Sequence, residues 1–465
     1  MRRPPFLNRR VQLISETRHC GRQAKMSGVG PGTRHYTVVC SSCGNRYEDD
    51  GLLLDCSRRH EPAFLRTEYN GDHETTGTRV GENSGLFRHA SLLPVVRTFP
   101  DVPGPVVHRA ERLGRRIGLD RLWVAFNGYW PERGAALPTC TFKDLEAYTV
   151  LGRLPAEPPV LVIPSAGNTA AAFAWAATCH RVPCLLVVPA PALERMRFPA
   201  PLDPRVRLVV LDGTATYSDA IACADLLSAL PGHHAEGGAR NVGRRDGLGT
   251  VMLAAADALG RLPETYVQAV GSGTGAIGAH EAARRLRADG EALPRLLMCQ
   301  NAPFAPLYDA WRCTGATPAH RDSDRELEPL ARELTNRRPP FTVRGGVRDV
   351  LTESGGDVLC TDNVTALAAM ALFEEIEGID IEPGAGVALA ALAEAARTGR
   401  VRRDELVLLN ITGGGRARQA RDLPLISAEP WLRVPWPGRD EGPRHAAELV
   451  ARQLTDLTAV TEAAR

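Results

Sequence analysis

The sequence runs to 465 residues, more than one hydrophobic core organises, so two or three domains are expected. Hydrophobic residues make up 44% and charged residues 24%, the balance of a globular protein, and the formal net charge is +2. With no long basic stripe and no apolar run near the roughly 18 to 20 residues of a membrane helix, neither a nucleic-acid partner nor a membrane is expected. The leading stretch, "MRRPPFLNRRVQLISETRHCGRQAK", is basic but lacks an apolar run and a small-residue cleavage site, so it does not read as a secretory signal. Residues 1–33 are expected to be a disordered extension, with Met26 as an alternative start. Eleven scattered cysteines then read as reduced, mostly buried thiols of a cytoplasmic protein, among them Cys179, Cys184, Cys223, Cys299, Cys313 and Cys360. Residues 34–70 form a small cysteine-rich unit, in which "YTVVC" and "GLLLDC" read as β runs around the turn "SSCGN". Residues 71–90 read as a linker.

The pattern then becomes α/β. "RLWVAFN", "PPVLVIP", "VPCLLVVP", "RVRLVVLDG", "TYVQAV", "PRLLMCQN" and "ELVLLNI" are strand-like. They alternate with helical stretches such as "NTAAAFAWAATCH", "YSDAIACADLLSAL" and "GAGVALAALAEAARTG". This predicts parallel sheets covered on both faces. The stretch 443–460 reads as a surface helix.

Lysine and arginine number 56 together, yet Lys25 and Lys143 are the only lysines, which leaves 54 arginines. A residue needed only for its charge can be arginine. Lys143 therefore points to chemistry that arginine cannot do: losing a proton and attacking a carbonyl, such as the aldehyde of pyridoxal phosphate. "VGSGTGAIGAHEAARRL" sets Gly271, Ser272, Gly273, Thr274 and Gly275 between strand and helix, where backbone N–H groups and a helix N-terminus suit a phosphate. The plainer reading is a tight turn. "PSAGNTAAA" gathers Ser165, Asn168 and Thr169 at a second strand-to-helix turn, suited to a carboxylate or simply to capping. Thr412 follows a strand end, where open α/β sheets bind ligands. Together these suit a pyridoxal-phosphate enzyme acting on an amino acid.

"LPTCTFKDLEA", "SAGNTAAAFA", "GSGTGAIGA" and "LLNITGGG" resemble the motifs of fold-type II pyridoxal-phosphate enzymes, in their threonine synthase branch, over about residues 34 to 425. Threonine synthases usually read Pro-Thr-Gly-Ser-Phe-Lys-Asp-Arg around the lysine; here Cys140 replaces the glycine, Thr141 the serine and Leu145 the final arginine. With "FNGYWPERGAALPTCTFKDLEA" and "LRTEY", the sequence resembles the cysteate synthases, which convert O-phospho-L-serine and sulfite to L-cysteate and phosphate.

The resemblance implies a tryptophan synthase β-like fold with two doubly wound α/β domains beside the small cysteine-rich β unit. The large domain would comprise 71–159 and 261–425, the small domain 160–260, and the C-terminal tail 426–465. It also implies that Lys143 holds the cofactor and acts as base, Asn168 bonds its ring oxygen, Gly271 to Gly275 hold its phosphate, and Thr412 faces its pyridine nitrogen. Thr139, Cys140, Thr141, Ser165 and Thr169 would contact substrate. Because leaving group and nucleophile are both anionic, Arg133 is the candidate recogniser, with Glu132 as its orienter or as a proton carrier; a surface ion pair in a structural turn is the alternative. Threonine synthase chemistry on phosphohomoserine, another nucleophile, or a non-catalytic relative are the competing readings, and Lys143 argues against the last. A homo-oligomer is expected. Cys40, Cys43, Cys56 and His60 have the ligand types and spacing of a closed structural zinc site.

Overall fold

The computed structural model describes residues 25–26, 34–69, 85–313, 328–436, 438 and 441–463. Of the expected N-terminal extension, Lys25 and Met26 lie within these bounds and pair with Thr98 and Arg97; the rest lies outside the described residues, as do residues 71–84 of the expected linker. The remainder of that linker is packed structure: Gly85–Leu92 is helical and buries Leu86, Phe87 and Leu92.

The cysteine-rich unit is an antiparallel sheet of β1 (Tyr36–Cys40), β2 (Arg46–Tyr47) and β3 (Leu65–Tyr69), ordered β2-β1-β3. "GLLLDC", expected as a strand, is not one. Its backbone is claimed by side chains instead: the Leu52 carbonyl accepts from His234 Nε2 at 2.9 Å and the Leu53 carbonyl from Arg153 Nη2 at 2.7 Å. The unit is anchored by buried charge. Arg153 grips Asp49 through Nε at 2.8 Å and Nη2 at 2.7 Å, while Thr67 and Tyr69 donate to Asp246, which also pairs with Arg285.

Next, β4 (Val106–Arg109) and β5 (Leu122–Phe126) begin a large sheet. Helix α1 (Lys143–Arg153) leads into a second sheet containing β6 (Val160–Pro164), β7 (Cys184–Pro189), β8 (Val206–Leu211) and β9 (His233–Ala235), with α2 (Asn168–His180) and α3 (Tyr217–Ser228) between its strands. Helix α4 (Val242–Leu259) carries the chain back. The large sheet continues with β10 (Thr265–Ala269), α5 (Thr274–Leu286), β11 (Arg295–Asn301), β12 (Asp357–Thr361), α6 (Asn363–Glu377), α7 (Pro383–Arg397) and β13 (Val407–Ile411). Its order is β12-β11-β10-β13-β5-β4, parallel except at β4. Strands such as "CLLVVP" are buried throughout because helices cover both faces, and the alanines of α2 are small enough to lie wholly within the core.

The segment expected as a separate tail belongs to the smaller sheet. There β14 (Leu432–Val434) pairs in parallel with β8, giving the order β9-β6-β7-β8-β14, and α8 (Gly442–Ala463) buries Ala446 and Val450 against that layer. A three-residue strand is too short to carry a periodicity, and the edge of β8 decides its conformation. The C-terminal ends of β6, β10 and β13 open onto one cleft, the position where parallel α/β sheets place ligands.

Candidate active site

Helix α1 begins at Lys143, and every residue from Asp144 to Arg153 is buried, so Lys143 is the residue of this helix that reaches the cleft. Its position is set by the turn before it. Thr139 donates through both N and Oγ1, each at 2.9 Å, to Asp144, whose carboxyl burial pushes up to about 7. Cys140 sits at φ 57°, in the left-handed region that favours glycine. Its carbonyl accepts from Gly414 N at 3.0 Å, and the Thr412 carbonyl accepts from Phe142 N at 2.9 Å. The glycine run after β13 is therefore what holds the lysine turn. At Gly413 a Cβ would stand 2.8 Å from Glu382 Cγ and 3.0 Å from the Cys140 carbonyl oxygen.

Lys143 Nζ lies 3.2 Å from Glu146 Oε2. The other oxygen of Glu146, itself fully buried, accepts from Thr169 Oγ1 at 2.9 Å and lies 3.4 Å from Arg244 Nη1. Arg244 is held in turn by both oxygens of Glu236. Burial pulls the Lys143 amine below its usual pKa; Glu146 opposes that shift and Arg244 adds to it. A lysine with its neutral form favoured can act as nucleophile and base.

Across the cleft, Gly271 to Gly275 lead into α5. Gly273 has φ 81°, and a Cβ there would stand 2.6 Å from Val347 Cγ2. At Gly271 a Cβ would come within 3.0 Å of the Leu334 carbonyl oxygen. Ser272 Oγ and Thr274 Oγ1 lie 2.7 Å apart at the helix start. A glycine-rich loop with two hydroxyls at the N-terminus of a 13-residue helix suits an anion. On the third side, Ser165 Oγ accepts from Gly167 N at 3.1 Å and Ala170 N at 3.0 Å, so it caps α2. Asn168 Oδ1 accepts from Arg416 at 3.1 Å. Arg416 and Arg195 both pair with Glu382; burial works to raise that carboxyl, but the two guanidinium groups outweigh it and hold it below the usual range. Thr412 lines the cleft beside Gly413. An amine, an anion cradle and a polar flank together fit pyridoxal phosphate.

Residues 107–413 match the family model described as "Pyridoxal-phosphate dependent enzyme". A cysteate synthase of Methanoculleus marisnigri is 45% identical over 408 residues, covering 86% of this chain and 93% of the relative. One from Methanosarcina barkeri is 40% identical over 405 residues, covering 85% and 96%. The chain belongs to the cysteate synthases. The solved structure of maize serine racemase has the same fold, at TM-score 0.53 and 17% identity, covering 68% of this chain and 90% of that one. The architecture of this cysteate synthase family member is thus that of fold-type II pyridoxal-phosphate enzymes, and pyridoxal phosphate is its cofactor.

The cleft gathers Lys143, Asn168, Gly271 to Gly275, Thr412, Thr141, Ser165 and Thr169 at one place. Four expected substrate contacts lie elsewhere. Thr139 spends its hydroxyl on Asp144, and Cys140 is fully buried beneath the turn. Glu132 pairs with Arg418 at 2.6 Å. Arg133 lies over the Trp130 ring, 4.7 Å from its centre, and pairs with Glu377 at 3.6 Å. These last two stand in a short helical turn, Pro131–Arg133. Sequence reasoning overlooked Glu146, Tyr217, Arg244, Glu382, Arg195 and Arg416. Only Glu146 carried a local signal: it stands three residues after Lys143, on the same helix face.

Proposed function

We propose that this protein replaces the phosphate of O-phospho-L-serine with sulfite, yielding L-cysteate and phosphate. The observation that carries the reading is kinship with cysteate synthases along nearly their whole length, with Lys143 standing in a cleft of matching residues. Pyridoxal phosphate, when bound, supplies the electron sink that makes the substrate Cα–H acidic. Lys143 would hold the cofactor, and its amine, when free, would take the proton from the substrate Cα. The Cβ–O bond to phosphate breaks, the sulfur of sulfite bonds to the vacated Cβ, and Lys143 returns the proton to Cα.

The backbone of Gly271 to Gly275 would hold the cofactor phosphate, Asn168 its ring oxygen, and Thr412 its ring nitrogen. A neutral hydroxyl there would leave that nitrogen unprotonated, which would favour elimination and replacement at Cβ. Ser165 and Thr169 border the place for the substrate carboxylate. Arg244, with Tyr217 beside it in the cleft lining, replaces Arg133 as recogniser of the anionic group on Cβ. Phosphate release and cysteate formation from phosphoserine plus sulfite test the proposal. Turnover of phosphohomoserine to threonine, with none of phosphoserine, would overturn it.

A further inference from the structure

The four candidate ligands of the cysteine-rich unit lie outside the catalytic cleft and play no part in the chemistry above. Their donor atoms all fall within 4.8 Å of one another. Cys43 Sγ and Cys56 Sγ are 3.7 Å apart, and Cys40 Sγ is 3.3 Å from His60 Nε2. A tetrahedral zinc with Zn–S of about 2.3 Å and Zn–N of about 2.0 Å has S···S edges of about 3.8 Å and S···N edges of about 3.5 Å. The spacing matches, and it is far beyond the roughly 2.05 Å of a disulfide.

The surroundings also suit a metal. His60 Nδ1 is 2.6 Å from the Glu61 carbonyl, which can only accept, so Nδ1 carries the proton and Nε2 presents its lone pair toward the cysteines. Arg58 N donates to Cys56 Sγ at 3.4 Å. Gly44, at φ 68°, turns the chain between Cys40 and Asn45, whose carbonyl accepts from Cys40 N at 2.9 Å.

The unit also needs a cross-link. Its own cluster buries Tyr36, Val38, Cys40 and Leu65, with Val242 from α4, and residues 48–64 contain no regular element. So small a core does not order so long a loop unaided. Yet that loop does specific work: Asp49 and the Leu53 carbonyl hold Arg153, the last residue of the helix that Lys143 begins. A second contact reaches the phosphate cradle. Phe64 N donates to the Arg344 carbonyl, and the segment leading from Arg344 brings Val347 against Gly273.

We infer that Cys40, Cys43, Cys56 and His60 bind one structural zinc ion, which locks the 41–64 loop and through it both the far end of α1 and the segment behind the phosphate cradle. The full-length protein, purified reduced and without chelator, should contain close to one zinc per chain by plasma mass spectrometry. Cys43→Ser with Cys56→Ser should lose at least nine-tenths of it, His60→Cys should keep it, and Cys313→Ser, an exposed cysteine outside the cluster, should leave it unchanged. Because the double variant risks misfolding, a second measurement uses the intact protein. Titration with an organomercurial should release zinc to a coloured chelator, lower Tm by about 5 °C or more, and weaken cofactor binding followed by its absorbance. Less than a tenth of an equivalent of zinc, a Cys43–Cys56 disulfide in its place, or zinc release that leaves both Tm and cofactor binding unmoved would overturn the inference.

Discussion

Two strand-to-helix turns border the same cleft and are built differently. The turn from Gly271 to Gly275 works with backbone: glycines remove side chains, and α5 supplies its positive end. The turn from Ser165 to Thr169 works with side chains already committed to partners from distant segments, namely Glu146 on Thr169 and Arg416 on Asn168. The first is self-contained and should tolerate changes around it but not within it. The second is one end of a charge network, so single changes there should propagate to Lys143.

Predictions that stress this contrast fall in order of size. Lys143→Ala should lower turnover at least about 10³-fold and abolish the visible absorbance of bound cofactor, since under the proposed function that amine both holds the cofactor and moves the Cα proton. Glu146→Gln should cut kcat by about 10²-fold. The Glu146 carboxylate favours the ammonium form of Lys143, so its loss lowers the lysine pKa further, and the acidic limb of kcat/KM should move to lower pH. An unmoved limb would mean that Glu146 does not set the lysine's protonation. Gly273→Ala should weaken cofactor binding by about tenfold through the left-handed backbone and the Val347 contact, with kcat at saturating cofactor nearly unchanged. Arg133→Ala should alter kcat/KM for phosphoserine by less than about twofold, because its partners Trp130 and Glu377 are remote from the chemistry. A loss confined to KM for the anionic substrates would restore Arg133 as a recogniser in place of Arg244.

The same contrast explains what was legible in the sequence. The phosphate cradle, the lysine and the strand-end threonine are local features. Glycine spacing, lysine scarcity and apolar runs announce them without any knowledge of tertiary contacts. The parallel sheets were readable for the same reason. The charge network was not, because Glu236 and Arg244 lie on segments about a hundred residues beyond Lys143, and Arg195, Glu382 and Arg416 meet only when both sheets are in place. Arg133 is the expected recogniser because leaving group and nucleophile are both anionic, but in the turn that Gly134 (φ 77°) ends it pairs with Glu377 and lies over Trp130. Thr139 and Cys140 are adjacent to the chemistry in sequence and lie behind it in space. The left-handed Cys140, standing where threonine synthases carry glycine, costs of order 1 kcal/mol in backbone strain, which the Gly414 contact and burial of the thiol offset.

The late arrival of β14 has a consequence for how the protein is made. Its pairing partner, β8, leaves the ribosome long before it, and everything from β10 to β13 comes between. Until Leu432 to Val434 dock, Val209 to Leu211 present a bare apolar sheet edge, and the layer that α8 covers lies open. Synthesis of the smaller sheet is therefore separated from its completion by the folding of the larger one. Shortening the chain before β14 should reveal itself first as aggregation of nascent protein, a failure of production far from the catalytic lysine.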